Sequence, residues 1–246
     1  MTAVPPHGVD ELWGMAGVAF RYFDFGATLL WAASGAVLAA RRGYDLTGIF
    51  AIALVSACGG GLLRDALFLQ AGPPILVRSP IYVLLTLLAS LATWRFGERL
   101  HGRLPTPVLR LTELADALGL GAFAVVGMRL ALAASISVAG AMLVGVVNAV
   151  GGGVLRSVLL HRTPRVFQPG ELTALAAFGG TLLYAALSMG LHVDENVAGL
   201  AAIALAAATN WTSRRYRLQT RAAWGAEARR RRRAPAGQRE APPHGA

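Results

Sequence analysis

Apolar residues fall in long unbroken blocks along this chain, and polar residues gather in the short gaps between them. The blocks run over 23–40, 46–69, 79–94, 114–132, 138–160, 171–190 and 197–212. Each is near the roughly 20 residues that a helix needs to cross the hydrocarbon core of a bilayer. No block alternates apolar and polar residues as a half-buried strand would, so helix is the expected element throughout. Five of the seven are plain. The exception is the stretch 114–155, whose only charges are Asp116 and Arg129, so hydropathy alone does not place its turn.

An internal repeat places it. Shifted by 92 positions, residues 24–68 lie on 116–160 without a gap, and 14 of the 45 pairs are identical. Chance would give roughly five in a chain so rich in Ala, Gly and Leu. Asp24 falls on Asp116, Gly35 on Gly127, Gly48 on Gly140 and Arg64 on Arg156. The triplet Gly59, Gly60 and Gly61 falls on Gly151, Gly152 and Gly153, and the gap 41–45 falls on 133–137. The long stretch is therefore two helices. Each repeat holds three helices, an odd number, so the second copy must enter the bilayer from the opposite face. The expected fold is an all-α integral membrane protein: seven transmembrane helices, two inverted three-helix repeats plus a seventh helix.

This divides the chain into an extracytoplasmic N-terminal segment (1–22), a first three-helix repeat (23–97) and a cytoplasmic linker (98–111). A second three-helix repeat (112–191), a seventh transmembrane helix (195–212) and an Arg-rich cytoplasmic tail (213–246) follow.

Composition agrees with a bilayer: 55% of the 246 residues are hydrophobic and 15% charged, against about 25% charged in an average soluble domain. All 23 basic residues are Arg, which fits a GC-rich bacterial genome, and ten of them follow residue 213. The net charge of +10 thus sits mostly in the tail, not on a face that would bind nucleic acid. Among the gaps and ends, 18 Arg fall on one side of the bilayer and two on the other. The positive-inside rule then puts the C-terminus in the cytoplasm and the N-terminus outside, in a bacterial cytoplasmic (inner) membrane. With Asp10, Glu11 and Asp24 before or within the first block, no signal peptide is expected and that block is kept as a helix. The tail, with Tyr216 and Trp224, either contacts anionic lipid or is a plain stop-transfer tail.

The candidate chemistry lies in the repeat. Three consecutive glycines weaken a helix by about 1 kcal/mol each, and Gly59 lies roughly 20 Å along its helix, deep in the bilayer. The triplets read either as two symmetric kinks whose freed carbonyls and amides line a pathway, or as close helix packing. On the pathway reading, Leu at Gly60 or Gly152 fills the constriction and leaves the fold intact. Ser56 and Asn148, at matching positions before the triplets, offer neutral hydrogen-bonding groups on the approach or ordinary interhelical bonds. Arg64 and Asp65, and their counterparts Arg156 and Ser157, follow the triplets; they face a cavity or snorkel to the interface. Arg129 has Val37 as its counterpart, and either senses voltage or forms a static ion pair. Asp24 and Asp116 are expected to cap the starts of their helices. Pro73, Pro74, Pro164 and Pro169 mark helix ends and turns.

Cys58 is the sole cysteine, which leaves no disulfide and no zinc site. His7, His101, His161, His192 and His244 are scattered in gaps and tails, so no catalytic grouping, metal site or cofactor is expected.

Two copies of a three-helix unit, each reading Gly-Gly-Gly-x-x-Arg in its middle helix, resemble the bacterial trimeric intracellular cation (TRIC) channels. Bacterial members of that family also carry a glycine transporter domain name. The motifs are CGGGLLRDALF at 58–68 and VGGGVLRSVLL at 150–160, within a resemblance over about residues 20–212. The resemblance implies a homotrimer with one hourglass pore in each protomer, shaped by the two glycine triplets. It also implies that basic residues of the fourth helix, here Arg129, bear on gating. One departure is that Asp65 becomes Ser157 in the second motif, so ion pairing there must differ. The expected function is a channel for monovalent cations, potassium above all; the alternative is a transporter of glycine or a similar small zwitterion. The alternative accounts better for Arg64 and Arg156, which would repel a cation unless neutralised.

Overall fold

The computed structural model describes residues 18–96, 106–168 and 172–216, and these are helical apart from short connections. Helix α1 spans Val18–Ala40 and α2 spans Leu46–Arg64, continued by a π-helical turn at Asp65–Leu69. A short α3 (Ile75–Arg78) precedes α4 (Pro80–Phe96). Then come α5 (Thr106–Ala133), α6 (Val138–Leu159) and a 3-10 turn at Arg165–Phe167. Helix α7 (Thr173–Ala185) runs into a second π-helical turn, Ala186–Gly190, and α8 spans Glu195–Arg215. Among the described residues, five helices are long and apolar enough to cross a membrane: Phe20–Ala40, Leu46–Leu69, Glu113–Ala133, Val138–Leu159 and Thr173–Gly190. Helix α4 is a shorter apolar helix.

Several expected boundaries shift. Helix α5 begins at Thr106, so 106–111 of the expected linker are helical, and α1 takes 18–22 of the expected N-terminal segment. Helix α8 extends through Arg215, taking 213–215 from the expected tail. Hydropathy falls short here because helix termini outside the hydrocarbon can be polar and still helical. Residues 1–17, 97–105, 169–171 and 217–246 lie outside the described residues, and with them most of the expected tail, Trp224 and Pro169.

The turns repeat as the sequence does. Gly43 has φ +75°, and Ser135, 92 positions on, has φ +58°. Both are left-handed residues just after a helix end, a conformation that glycine takes freely and serine takes at a cost. Two residues later, Asp45 caps α2 by accepting from the Gly48 amide at 2.8 Å, and Ser137 caps α6 by accepting from the Gly140 amide at 3.3 Å.

Helices α1, α2 and α4 pack on one another, as do α5, α6 and α7; the two sets meet through α2 against α6 and α1 against α5. Helix α8 lies on α5 and α7, which makes α5 the most enclosed of the spanning helices. At the centre, the repeat counterparts Trp31 and Phe123 meet edge to face, 5.4 Å between centroids.

The glycine triplets sit where α2 crosses α6, and α-helical hydrogen bonding runs through both. The expected break with freed carbonyls is not there; after the first triplet the pattern changes only at the π-helical turn. The reason is the crossing itself. A Cβ at Gly60 would strike the Asn148 carbonyl, and one at Gly152 would strike the Ser56 carbonyl. Gly59 lies on the Gly152 backbone and Leu155, and Gly151 on the Gly60 backbone and Leu63. Each of these backbone and leucine contacts has its 92-shifted partner. Close backbone approach offsets the low helix propensity of glycine, as in small-residue packing of membrane helices.

Candidate functional site

The third glycine of each triplet behaves differently. An added Cβ at Gly61 would find Arg64 at 3.6 Å as its nearest neighbour, and one at Gly153 would find the Trp31 ring at 3.8 Å. These are ordinary contacts, and each glycine opens onto a cavity. The two cavities share a repeat-equivalent lining: Asp24, Gly61 and Arg64 in one, Asp116, Gly153 and Arg156 in the other.

The first cavity measures about 20 Å³, space for about one water molecule. Arg64, 1% exposed, donates through Nε to Asp65 Oδ1 at 2.7 Å, and Asp65 is itself 2% exposed. Asp65 Oδ2 also accepts from the Ile75 amide at 3.0 Å, which ties the start of α3 to the π-helical turn. Opposite, the Tyr82 hydroxyl donates to Asp24 Oδ2 at 2.6 Å, and Asp24 is buried. Asn148 donates through Nδ2 to the Phe123 carbonyl at 2.7 Å, while its Oδ1 has no partner among the described residues. Thr28, also buried, completes the polar lining. The result is a tight space lined by Asp24 and Arg64, with Asp65, outside the lining, paired to the guanidinium.

The second cavity measures about 440 Å³. Ser157 turns back on its own helix, donating to the Gly153 carbonyl at 2.7 Å. Arg156, with no carboxylate beside it in sequence, reaches Ser34 Oγ at 3.3 Å and lies 6.0 Å from the Trp31 ring centroid. Asp116 faces Arg214 of α8 at 3.7 Å, and Asn210 and Arg162 also line the space. The C-terminus of α6 is capped from the other repeat, since Arg42 Nη1 donates to the Leu160 carbonyl at 2.7 Å.

Arg129 lies apart from both, beside a cavity of about 230 Å³. It donates to the Tyr184 hydroxyl at 3.0 Å, sits 4.7 Å from the Phe20 ring centroid and forms an ion pair with Glu195 at the start of α8. Ser56 donates to the Ile52 carbonyl of its own helix and sits at the helix crossing, not in either cavity.

The structure thus brings Gly61, Arg64 and Asn148 together in one space and Gly153, Arg156 and Ser157 in the other. It assigns Gly59, Gly60, Gly151 and Gly152 to packing. Asp24 and Asp116 are corrected: both stand inside their helices, six and ten residues from the first residue, and neither caps a helix start. Sequence reasoning missed Trp31, Tyr82, Asn210 and Arg214. The match of Asp24 with Asp116 was the available signal for the two carboxylates; Tyr82, Asn210 and Arg214 lie outside the matched 45 positions and carry none.

The sequence model of the family described as Glycine transporter matches residues 21–98 and 113–189. A UPF0126 membrane protein of Deinococcus radiodurans is 34% identical over 161 residues, covering 65% of this chain and 72% of its own. The UPF0126 inner membrane protein YadS of Escherichia coli is 32% identical over 164 residues, covering 67% of this chain and 76% of its own. Among solved structures, the TRIC trimeric intracellular cation channel orthologue from Rhodobacter sphaeroides superimposes with a TM-score of 0.74 at 28% identity, over 82% of this chain and all of that one. A structure described as giving the basis of conductance through TRIC cation channels has a TM-score of 0.71 at 32% identity, over 83% of this chain and 97% of that one. Relatives named as membrane proteins and five spanning helices make this a multi-pass membrane protein. The chain belongs to the TRIC channel family, the family whose sequence model is described as Glycine transporter.

Proposed function

We propose that this protein is a cation channel, with potassium as the permeant ion, a pore within each protomer and a homotrimeric assembly. The solved structures it resembles are described as trimeric cation channels. The observation that carries the reading is the first cavity: Asp24, Thr28 and the unpartnered Oδ1 of Asn148 offer oxygen to a cation in the interior of the bundle. Oxygen acceptors around a dehydrated site are what a cation filter requires. Arg64 does not block it electrostatically, because Asp65 neutralises it at 2.7 Å.

The two repeats are inverted on this reading, which the reciprocal contacts of Gly60 with Asn148 and Gly152 with Ser56 support. With the Arg-rich loops inside, the first cavity faces the outer mouth and the second the cytoplasmic mouth. The pore passes Gly61 and Gly153, while Gly59, Gly60, Gly151 and Gly152 hold α2 against α6 and so set its waist. The first cavity is closed as described, and opening it means parting Tyr82 from Asp24 or Asp65 from Ile75. Arg129 bears on gating only by leaving Glu195 and Tyr184, which makes it a latch before it is a voltage sensor.

A small zwitterion remains the second reading, favoured by the arginines of the second cavity, where a carboxylate would find Arg156. Purified protein in liposomes separates the two. A potassium current without labelled-glycine uptake supports the channel; glycine uptake without current overturns it.

A further inference from the structure

The two cavities are related beyond their shared acid, glycine and arginine. Thr28, Cys58 and Leu62 line the first, and their counterparts 92 positions on, Leu120, Val150 and Val154, line the second. The central aromatic pair crosses over. Phe123, of the second repeat, lines the first cavity, and its counterpart Trp31, of the first repeat, lines the second. Each space therefore carries one ring from the other repeat, and the two rings meet edge to face, 5.4 Å between centroids. Trp31 and Phe123 lie midway along the spanning segments Phe20–Ala40 and Glu113–Ala133, 6% and 5% exposed. The pair stands between the two spaces.

Trp31 is seated against glycine. A Cβ at Gly119 would strike its Nε1, and one at Gly152 would press on its Cζ3 at 3.3 Å. Gly119 precedes Phe123 by four residues, so both lie on the same face of α5. The indole N–H is buried in this seat and has no hydrogen-bond partner among the described residues. A buried indole N–H usually finds one, and water in the second cavity, which the ring already lines, would supply it. The seated ring thus forgoes a hydrogen bond that turning into the wide cavity would restore. An apolar constriction excludes water, and a hydrated ion with it, until it widens. We infer that Trp31 and Phe123 form the septum between the two cavities and that Trp31 is its movable leaf. With the indole seated on Gly119 the path is shut; with it turned toward the second cavity the two spaces join. The inference rests on the reading of a pore within each protomer, and it places the constriction on the aromatic pair.

Cys58, the sole cysteine of the chain, lines the first cavity and so reports on the septum. The probe is the silver ion, close to potassium in size and reactive toward thiols, in chloride-free nitrate buffer. Membrane vesicles of each orientation carrying the full-length protein are exposed for timed intervals. The Cys58 thiol left free is then counted by maleimide labelling of the denatured, purified chain. Ser157→Cys in a Cys58→Ser background shows from which face the second cavity is reached. From that face, Trp31→Ala should speed the reaction of Cys58 with silver about tenfold, the equivalent of one strong aromatic contact. Gly119→Ala should act in the same direction by pushing the indole off α5, and it takes the place of Trp31→Ala should that variant not elute as the parent assembly. The inference is overturned if either variant, assembled as the parent, leaves the rate within about twofold of the parent's. Potassium current from the same protein keeps the two readings apart. Current with unchanged Cys58 rates removes the septum and leaves the channel, whereas faster Cys58 reaction without current keeps the septum and removes the channel.

Discussion

Around Gly61, Asp24 and Arg64 line about 20 Å³, and Asp65, outside that lining, pairs with Arg64; around Gly153, Arg156, Arg162 and Arg214 line about 440 Å³ together with Asp116. The same repeated segment supplies Asp24, Gly61 and Arg64 to one and Asp116, Gly153 and Arg156 to the other, while Tyr82 in the first and Arg162, Asn210 and Arg214 in the second come from outside it. Asp65 does two things at once, holding Arg64 at 2.7 Å and fixing the Ile75 amide at 3.0 Å. Its counterpart Ser157 reaches only the Gly153 carbonyl of its own helix, so Arg156 turns to Ser34 and Trp31 and the space stays wide. The acid-to-hydroxyl change thus accounts for the different settings of Arg64 and Arg156, while the size and basic charge of the second cavity also draw on residues outside the repeat. On the proposed channel reading, cation selection belongs in the first half.

The largest effect should come from Asp65 itself. Asp65→Ala leaves Arg64 buried without its neighbouring carboxylate, a loss of about 3–5 kcal/mol when one partner of a buried pair is removed. Ser157→Ala should cost less than about 1 kcal/mol, one local hydrogen bond. Thermal unfolding in detergent measures both, and equal losses would contradict the asymmetry.

Next come the glycines, where the halves should behave alike. Gly60→Leu and Gly152→Leu drive a side chain into a backbone carbonyl at the α2–α6 crossing. Overpacking of this kind costs about 1–3 kcal/mol or more, so both variants should unfold earlier or lose the parent oligomer on size exclusion. That revises the expectation that Leu at these positions fills a constriction in an intact fold. Gly61→Ala and Gly153→Ala meet only ordinary contacts and remove a helix-weakening residue, so stability should hold or rise by up to about 1 kcal/mol while conductance falls.

A smaller loss is expected for Tyr82→Phe, which removes the 2.6 Å bond to Asp24. A hydrogen bond to a charged group is worth about 1.5–3 kcal/mol. Because this bond helps to close the first cavity, single-channel recording should show a higher open probability. An unchanged open probability would separate the Tyr82 contact from closure.

Much of this was legible in the chain. The 92-residue shift located the turn at 133–137 and divided the long apolar stretch into two helices; the left-handed pair Gly43 and Ser135 within the matching turns was not read from it. It also marked Asp24 and Asp116 as equivalent, though both read as caps, since a block of apolar residues does not show where a helix begins among polar ones. What the glycine triplets do was not legible. Propensity treats Gly as a helix breaker, but Gly60 and Gly152 are held helical by a neighbouring backbone that no local rule contains. The third glycine differs from the first two only by which face of α2 or α6 it occupies, and that depends on the crossing. Asn210 and Arg214 could not be assigned at all, because α8 has no counterpart in the repeat.

The reversal potential of single channels under a potassium chloride gradient, for the parent, Asp24→Asn and Arg156→Gln, tests the division of labour most directly. If the first half selects, the parent potential lies near that of potassium and Asp24→Asn shifts it toward zero. Arg156→Gln then leaves it unchanged or brings it closer to potassium. A parent potential retained in Asp24→Asn, or a collapse of selectivity in Arg156→Gln, would contradict the assignment of cation selection to the acidic cavity.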